Sequence, residues 1–145
     1  SNQLLSVAIN GGAFAYGDNN IGPSVGIDIE ARHNNFGLYL SSTGNFLVND
    51  NNNRIIEFSV GPRWYIGNLK KLSGTIETGL GYYLRGDNSV QYSEAFGINL
   101  GAGLNYPLTK KFDIGLKGKY HITAGDYFTK VHGALYFGLR YYFKK

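Results

Sequence analysis

The sequence predicts an all-β fold, a closed antiparallel up-and-down transmembrane barrel of about eight strands with an apolar outer wall and a polar, filled interior. Three observations carry this prediction. Apolar and polar residues alternate with a period of two along the whole chain, which is the strand period because successive side chains leave opposite faces. The links between patterned segments alternate between short and long. Charged side chains fall in the middle of the polar faces rather than at segment ends. Residues 1–145 read as a single domain, too short for two independent cores.

The segments follow in chain order. A weak one spans 5–16. In 24–32, Val25, Ile27, Ile29 and Ala31 face one way, and Ser24, Gly26, Asp28, Glu30 and Arg32 the other. A second weak segment covers 36–43. Over 56–66, Ile56, Phe58, Val60, Pro62, Trp64 and Ile66 oppose Glu57, Ser59, Gly61, Arg63 and Tyr65. Next, Leu72, Ile76, Leu80, Tyr82 and Leu84 oppose Ser73, Thr75, Glu77, Gly79, Gly81 and Arg85. Phe96, Ile98, Leu100, Ala102, Leu104 and Tyr106 oppose Gly97, Asn99, Gly101, Gly103 and Asn105. Phe112, Ile114, Leu116, Tyr120 and Ile122 oppose Asp113, Gly115, Lys117, Lys119, His121 and Thr123. Finally, Val131, Leu135, Phe137, Leu139, Tyr141 and Phe143 oppose His132, Ala134, Tyr136, Gly138, Arg140 and Tyr142.

Short links are expected at 33–35, 67–71 and 107–111, and longer polar loops at 17–23, 44–53, 86–91 and 125–130. Successive links of an up-and-down barrel lie at opposite ends, so each class gathers on its own rim, as in bacterial outer-membrane barrels.

Alternation alone does not say which face is inside. A soluble lipocalin-like ligand-binding barrel turns the apolar face inward. Three features favour outward. Patterned runs of about 9–13 residues suit a tilted strand crossing a bilayer. The polar face carries Asp28, Glu30, Arg32, Glu57, Arg63, Glu77, Arg85, Asp113, Lys117, Lys119 and Arg140, a near balance of acids and bases that reads as a lumen charge network. A lumen of this size is just wide enough for side chains to fill, so a plug is expected rather than an ion-selective pore. The aromatics Phe36, Trp64, Tyr82, Tyr106, Phe112, Tyr141 and Phe143 gather near segment ends, as an interfacial aromatic girdle does.

Composition excludes several other classes. The chain has 21 Gly, 12 Tyr and 9 Phe, no Cys and no Met. The lack of Cys removes disulfide frameworks and thiolate metal sites. No run approaches the roughly 18 apolar residues of a transmembrane helix. The net charge is +4, but Lys70-Lys71, Lys110-Lys111 and Lys144-Lys145 sit at segment ends without a basic stripe, so nucleic-acid binding is not expected.

The chain resembles the small eight-stranded outer-membrane barrels of the OmpX and OmpA transmembrane-domain type. The resemblance lies in architecture along nearly the whole chain and in two segments. The closing run 133–143, with Phe137, Leu139, Tyr141 and Phe143 on one face, resembles the C-terminal insertion signal of such proteins, although Lys144-Lys145 displace the usual terminal aromatic. The stretch 105–112 resembles one of their periplasmic turns. The resemblance implies a porin-like fold in the outer membrane of a Gram-negative cell envelope, as a mature form whose signal peptide has been removed. It also implies outer-membrane lipid, lipopolysaccharide and the barrel-assembly machinery as partners, with other outer-membrane proteins as further ones.

The function expected is non-enzymatic: structural, adhesive, or an accessory subunit of a larger outer-membrane complex. The alternative is a lipid A-modifying enzyme, since His121-Ile122-Thr123 distantly resembles the His-x-Ser signature of outer-membrane lipid A deacylases. There His121 is the base and Thr123 replaces Ser as a more hindered nucleophile. Parity turns both inward, away from lipid, which disfavours that role. His132 shares their face, and His121 and His132 with Asp126 nearby are of the metal-binding kind, but they lack tight ligand spacing and no cofactor or metal is expected. His33 reads as a polar turn residue.

Overall fold

A computed structural model describes residues 3–16, 20–46, 54–68, 70–86, 92–124 and 131–143. Among them the strands are β1 (Gln3–Tyr16), β2 (Asn20–His33), β3 (Phe36–Phe46), β4 (Arg54–Ile66), β5 (Ser73–Gly86), β6 (Tyr92–Pro107), β7 (Phe112–Ala124) and β8 (Val131–Tyr142). Each pairs antiparallel with its neighbours in chain order, and β1 pairs with β8 from Ser6↔Tyr142 to Tyr16↔His132, closing the barrel β1-β2-β3-β4-β5-β6-β7-β8. The expected fold class is the one observed.

The strands run from 11 residues in β3 to 16 in β6, longer than the patterned runs suggest. The expected loop at 17–23 shrinks, because β2 begins at Asn20 and its first pairs are Tyr16↔Asn20, Ala15↔Ile21 and Ala13↔Pro23. Likewise β3 extends to Phe46, three residues past the expected boundary, and β5 to Gly86. Gly, Asn and Pro have poor strand propensity, but a neighbour already in register supplies the ladder and overrides it. The two rims therefore differ less in link length than the sequence pattern implies.

The short-turn rim is built from local chemistry. Asn34 takes a left-handed conformation (φ 55°), which Asn tolerates, and lets His33 pair with Phe36. Asn35 then fastens this turn to β4: its carbonyl accepts from Tyr65 N at 2.8 Å, and its Nδ2 donates to Tyr65 O at 3.0 Å. Gly67 has φ 103°, a region open to glycine. In the 108–111 turn, Thr109 Oγ1 accepts from the backbone N–H groups of Lys111 (3.2 Å) and Phe112 (3.1 Å).

The burial pattern is inside-out. Leu80, Phe96 and Ile9 are 68%, 67% and 65% exposed on the outer wall, whereas Glu30, Tyr83 and Asn99 are fully buried. The apolar face therefore points outward and the charged face inward, with the inward-apolar calyx arrangement ruled out. Inside, Phe14, Ile55, Tyr83 and Ala95 form a small apolar cluster near the loop-side rim.

The β4–β5 ladder has one interruption. Pairing runs to Val60↔Leu80 and resumes at Arg63↔Glu77, skipping Gly61 and Pro62. Pro62 has no N–H to donate. The backbones crowd together there, so that a Cβ on Gly61 would lie 2.0 Å from the Thr78 carbonyl oxygen. At Gly118, on the outer wall, an added Cβ meets nothing within 4 Å. The expected outcome for Gly61→Ala is a loss of about 1–3 kcal/mol from overpacking. Gly118→Ala leaves stability unchanged or raises it by up to about 1 kcal/mol. Equilibrium urea unfolding of the two variants in detergent checks the contrast, and equal losses would contradict it.

Candidate functional site: the charged lumen

The register brings the inward charges together. Arg63 on β4 pairs with Glu77 on β5, Glu77 with Gly101 on β6, and Gly101 with Lys119 on β7. Gly101 is the gap that lets Lys119 reach Glu77, since a Cβ there would lie 2.8 Å from Glu77 Cγ. On the other side Ala8 stands between Asp28 and Arg140.

Arg63 is the hub. Its Nε donates to Glu77 Oε1 at 3.0 Å, Nη1 to Glu30 Oε2 at 2.7 Å, and Nη1 and Nη2 to the two oxygens of Asp28 at 3.0 and 2.7 Å. Arg140 donates to Asp28 and, at 2.8 Å, to Ser6 Oγ. Lys117 and Lys119 approach Glu77 at 2.8 and 3.0 Å, and the Tyr65 hydroxyl donates to Glu30 at 2.6 Å. The rings of this layer serve as electrostatic partners too: Arg63 lies 4.5 Å and Lys119 4.8 Å from the Tyr39 ring centroid. So three carboxylates (Asp28, Glu30, Glu77) face four cations (Arg63, Arg140, Lys117, Lys119) in a single contiguous cluster.

The residues expected to form one lumen network divide into layers. Toward the short-turn rim, Arg32 lies over the rings of Tyr65 (4.2 Å) and Tyr142 (5.4 Å), and Asp113 accepts from Tyr142 (2.6 Å) and Asn105 (3.0 Å). The seven charges named above form the middle. Toward the loop rim, Glu57 Oε2 lies 3.2 Å from His121 Nδ1, which also meets the Tyr83 hydroxyl at 2.9 Å. Arg85 is half-buried beyond them, at the β5 position paired with Ile55 and Ser93.

His121 and Thr123 are both buried in the lumen, with their backs to the outer wall. His121 and His132 pair across β7 and β8, and their rings stack with centroids 4.5 Å apart and planes 11° apart. Asp126 lies outside the described residues; the carboxylate beside the two histidines is Glu57, from β4 across the lumen. Sequence reasoning missed this convergence because parity tells which face a residue takes and not at what height strands from opposite walls meet. It also left unassigned the inward Tyr39 and Tyr83, whose hydroxyls reach Asn99 and His121.

On the outer wall, Phe36 and Trp64 meet edge-on at 5.7 Å, Tyr141 and Phe143 edge-on at 5.4 Å, and Phe112 and Tyr141 in a tilted contact at 5.1 Å, all near the short-turn rim with Tyr106. Tyr82 is apart from them at the loop side, against Phe96 (5.0 Å), with its hydroxyl on Glu94. Phe137 and Leu139 on β8 and Phe143 just past its end are exposed outward, with Tyr141 half-buried among them.

Comparison of the structure with solved ones gives the fold its kin. The chain is similar to Neisserial surface protein A (NspA), with 14% identity, 97% of each chain covered and a TM-score of 0.80. It is similar to the N-terminal β-barrel domain of Pseudomonas aeruginosa OprF, at 20% identity, 95% and 97% coverage and a TM-score of 0.72. It is also similar to the outer membrane enzyme PagL, at 16% identity, 94% and 98% coverage and a TM-score of 0.61. No family model and no curated protein matches the sequence. The chain has the fold of the small eight-stranded outer-membrane barrels.

Arg63→Met removes the cation shared by three buried carboxylates. Breaking a buried pair by deleting one partner costs about 3–5 kcal/mol, because a charge is left uncompensated. That loss is expected in urea unfolding, and a variant as stable as wild type would mean the cluster is not the dry, paired arrangement described.

Proposed function

We propose that this chain is a non-enzymatic outer-membrane barrel of a Gram-negative cell envelope, closed to ions, which serves as a structural or adhesive element or as an accessory subunit of a larger outer-membrane complex. One observation carries the reading: an outward wall of large apolar side chains encloses a lumen filled by paired charges. Such a wall has no place in water as an exposed surface, and such a lumen leaves no wide aqueous path. The aromatics near the short-turn rim suit the interface with lipid headgroups, and outer-membrane lipid and lipopolysaccharide are the expected surroundings. Phe137, Leu139, Tyr141 and Phe143 supply the outward edge that the barrel-assembly machinery reads during insertion.

The likeness to PagL keeps an enzymatic reading in view. Against it stands the placement of His121 and Thr123, the residues the sequence offers for acyl transfer, inside the lumen and away from any lipid substrate. The inward charges favour a plug over a selectivity filter because Arg63 and Lys119 are already committed to carboxylates.

The test is extraction from the cell envelope in mild detergent, followed by native mass. Recovery from the outer-membrane fraction is expected; a particle of one chain plus micelle indicates a free-standing barrel, and a larger one a subunit. Recovery from the soluble fraction would overturn the proposal. In planar bilayers the reconstituted protein is expected to show no stepwise conductance above baseline. The lipid A acylation profile of cells carrying His121→Ala is expected to match wild type, and a changed profile would restore the enzymatic reading.

A further inference from the structure

Toward the loop side of the lumen, three buried donors of the metal-binding kind converge from opposite walls: Glu57 from β4, His121 from β7 and His132 from β8. One ligand atom from each lies within 4.8 Å of the other two. An ion with tetrahedral ligands at about 2.1 Å needs its donors roughly 3.4 Å apart and must lie in the plane of each imidazole, so the two stacked rings turn out of their parallel arrangement to take it.

A second, independent observation points to an occupant. Glu57 is 1% exposed, and neither of its oxygens has a hydrogen-bond partner among the described residues. The Nδ1 of His121 is 3.2 Å away but out of hydrogen-bonding alignment. The ammonium of Lys119 is engaged with Glu77 instead. His121 Nε2 is likewise buried without a hydrogen-bond partner. A carboxylate in such a setting needs a compensating positive charge or a proton.

The surroundings orient the imidazoles as second-layer groups do around a bound ion. The Tyr83 hydroxyl holds His121 Nδ1 at 2.9 Å, and the Tyr83 ring meets both histidines edge-on at 5.7 and 5.6 Å. Phe14 packs edge-on against His132 at 5.0 Å, on the side of the apolar cluster. Two neutral imidazoles and one carboxylate are the donor set of a borderline divalent transition ion, whereas a calcium or magnesium site draws on oxygen ligands.

We propose that Glu57, His121 and His132 bind one divalent transition-metal ion of the zinc class, as a clip joining β4 to β7 and β8 across the lumen. Three protein donors leave one tetrahedral position for a small fourth ligand. The ion enters during folding, before the walls close over it, and thereafter it ties opposite sides of the barrel together. Its role is structural, independent of the function proposed above.

The experiment uses the full, tag-free chain refolded from urea into detergent with Zn2+ or Co2+, passed over chelating resin, and assayed for bound metal by mass spectrometry. Wild type is expected to retain one ion per chain, with Co2+ giving the intense visible bands of four-coordinate geometry. Glu57→Gln and His132→Asn are expected to retain less than a tenth as much, whereas His33→Asn, in the exposed turn, retains all of it. Tyr83→Phe is expected to weaken binding by about 10–100-fold. Wild type without bound metal, or retention undiminished in Glu57→Gln and His132→Asn, would overturn the site. Should those variants fail to fold, the wild-type Co2+ spectrum decides: an absent or six-coordinate spectrum overturns the proposal.

Discussion

A sheet that ends exposes a row of unpaired N–H and C=O groups at each edge, and in hydrocarbon no water takes them up. The continuous β1–β8 ladder removes both edges. Everything else in this molecule follows from that closure. A barrel of eight strands encloses a space that side chains nearly fill, so the inward residues answer to one shared volume and not to their own strands alone. That is why the bulky members of the lumen have small partners beside them. Gly101 sits between Glu77 and Lys119, and Ala8 between Asp28 and Arg140. A larger side chain at either place would separate an ion pair rather than merely crowd it.

Why the interior is charged is a separate matter from why it is full. Buried ion pairs contribute little net stability compared with apolar residues of the same volume. What they contribute here is register. A slip of one residue turns every side chain to the other face. For β4, such a slip would expel Glu57 and Arg63 to the outer wall and draw Phe58 and Trp64 inside. With apolar residues on both faces the same slip would cost little. Strong contrast between the faces thus fixes the ladder even at Gly61–Pro62, where backbone pairing lapses.

The two faces were legible in the sequence because the pleat makes them a strictly local property. Asp28, Glu57, Arg63, Glu77 and Arg140 could all be assigned inward from parity. Strand ends were less legible. Asn20 to Pro23 look like a loop by composition, yet they are held in β2 by the partner residues 13–16 of β1. Least legible was height along the barrel axis. The stagger of the strands, which no single segment encodes, lifts Glu57 level with His121 and His132 while leaving Arg63, six residues along the same strand, with Asp28 and Glu30. Arg32 and Asp113 fall to the opposite end for the same reason, where Tyr65 and Tyr142 receive them.

The layering bears on what the barrel is able to conduct. A single ionic cluster resembles a gate, since an arginine that exchanges one carboxylate for another opens a path. Here Arg63 holds Asp28, Glu30 and Glu77 together, so no one exchange frees it. Above it lie the stacked histidines with Glu57, and beyond these the apolar contacts of Phe14, Ile55, Tyr83 and Ala95. Below it Tyr142 spans from Asp113 toward Arg32. An ion crossing the lumen would have to part all of these layers, each held by a different kind of interaction. Rearranging one leaves the others closed, which supports the proposed reading of the filled lumen as a rod that keeps the wall round over that of a channel.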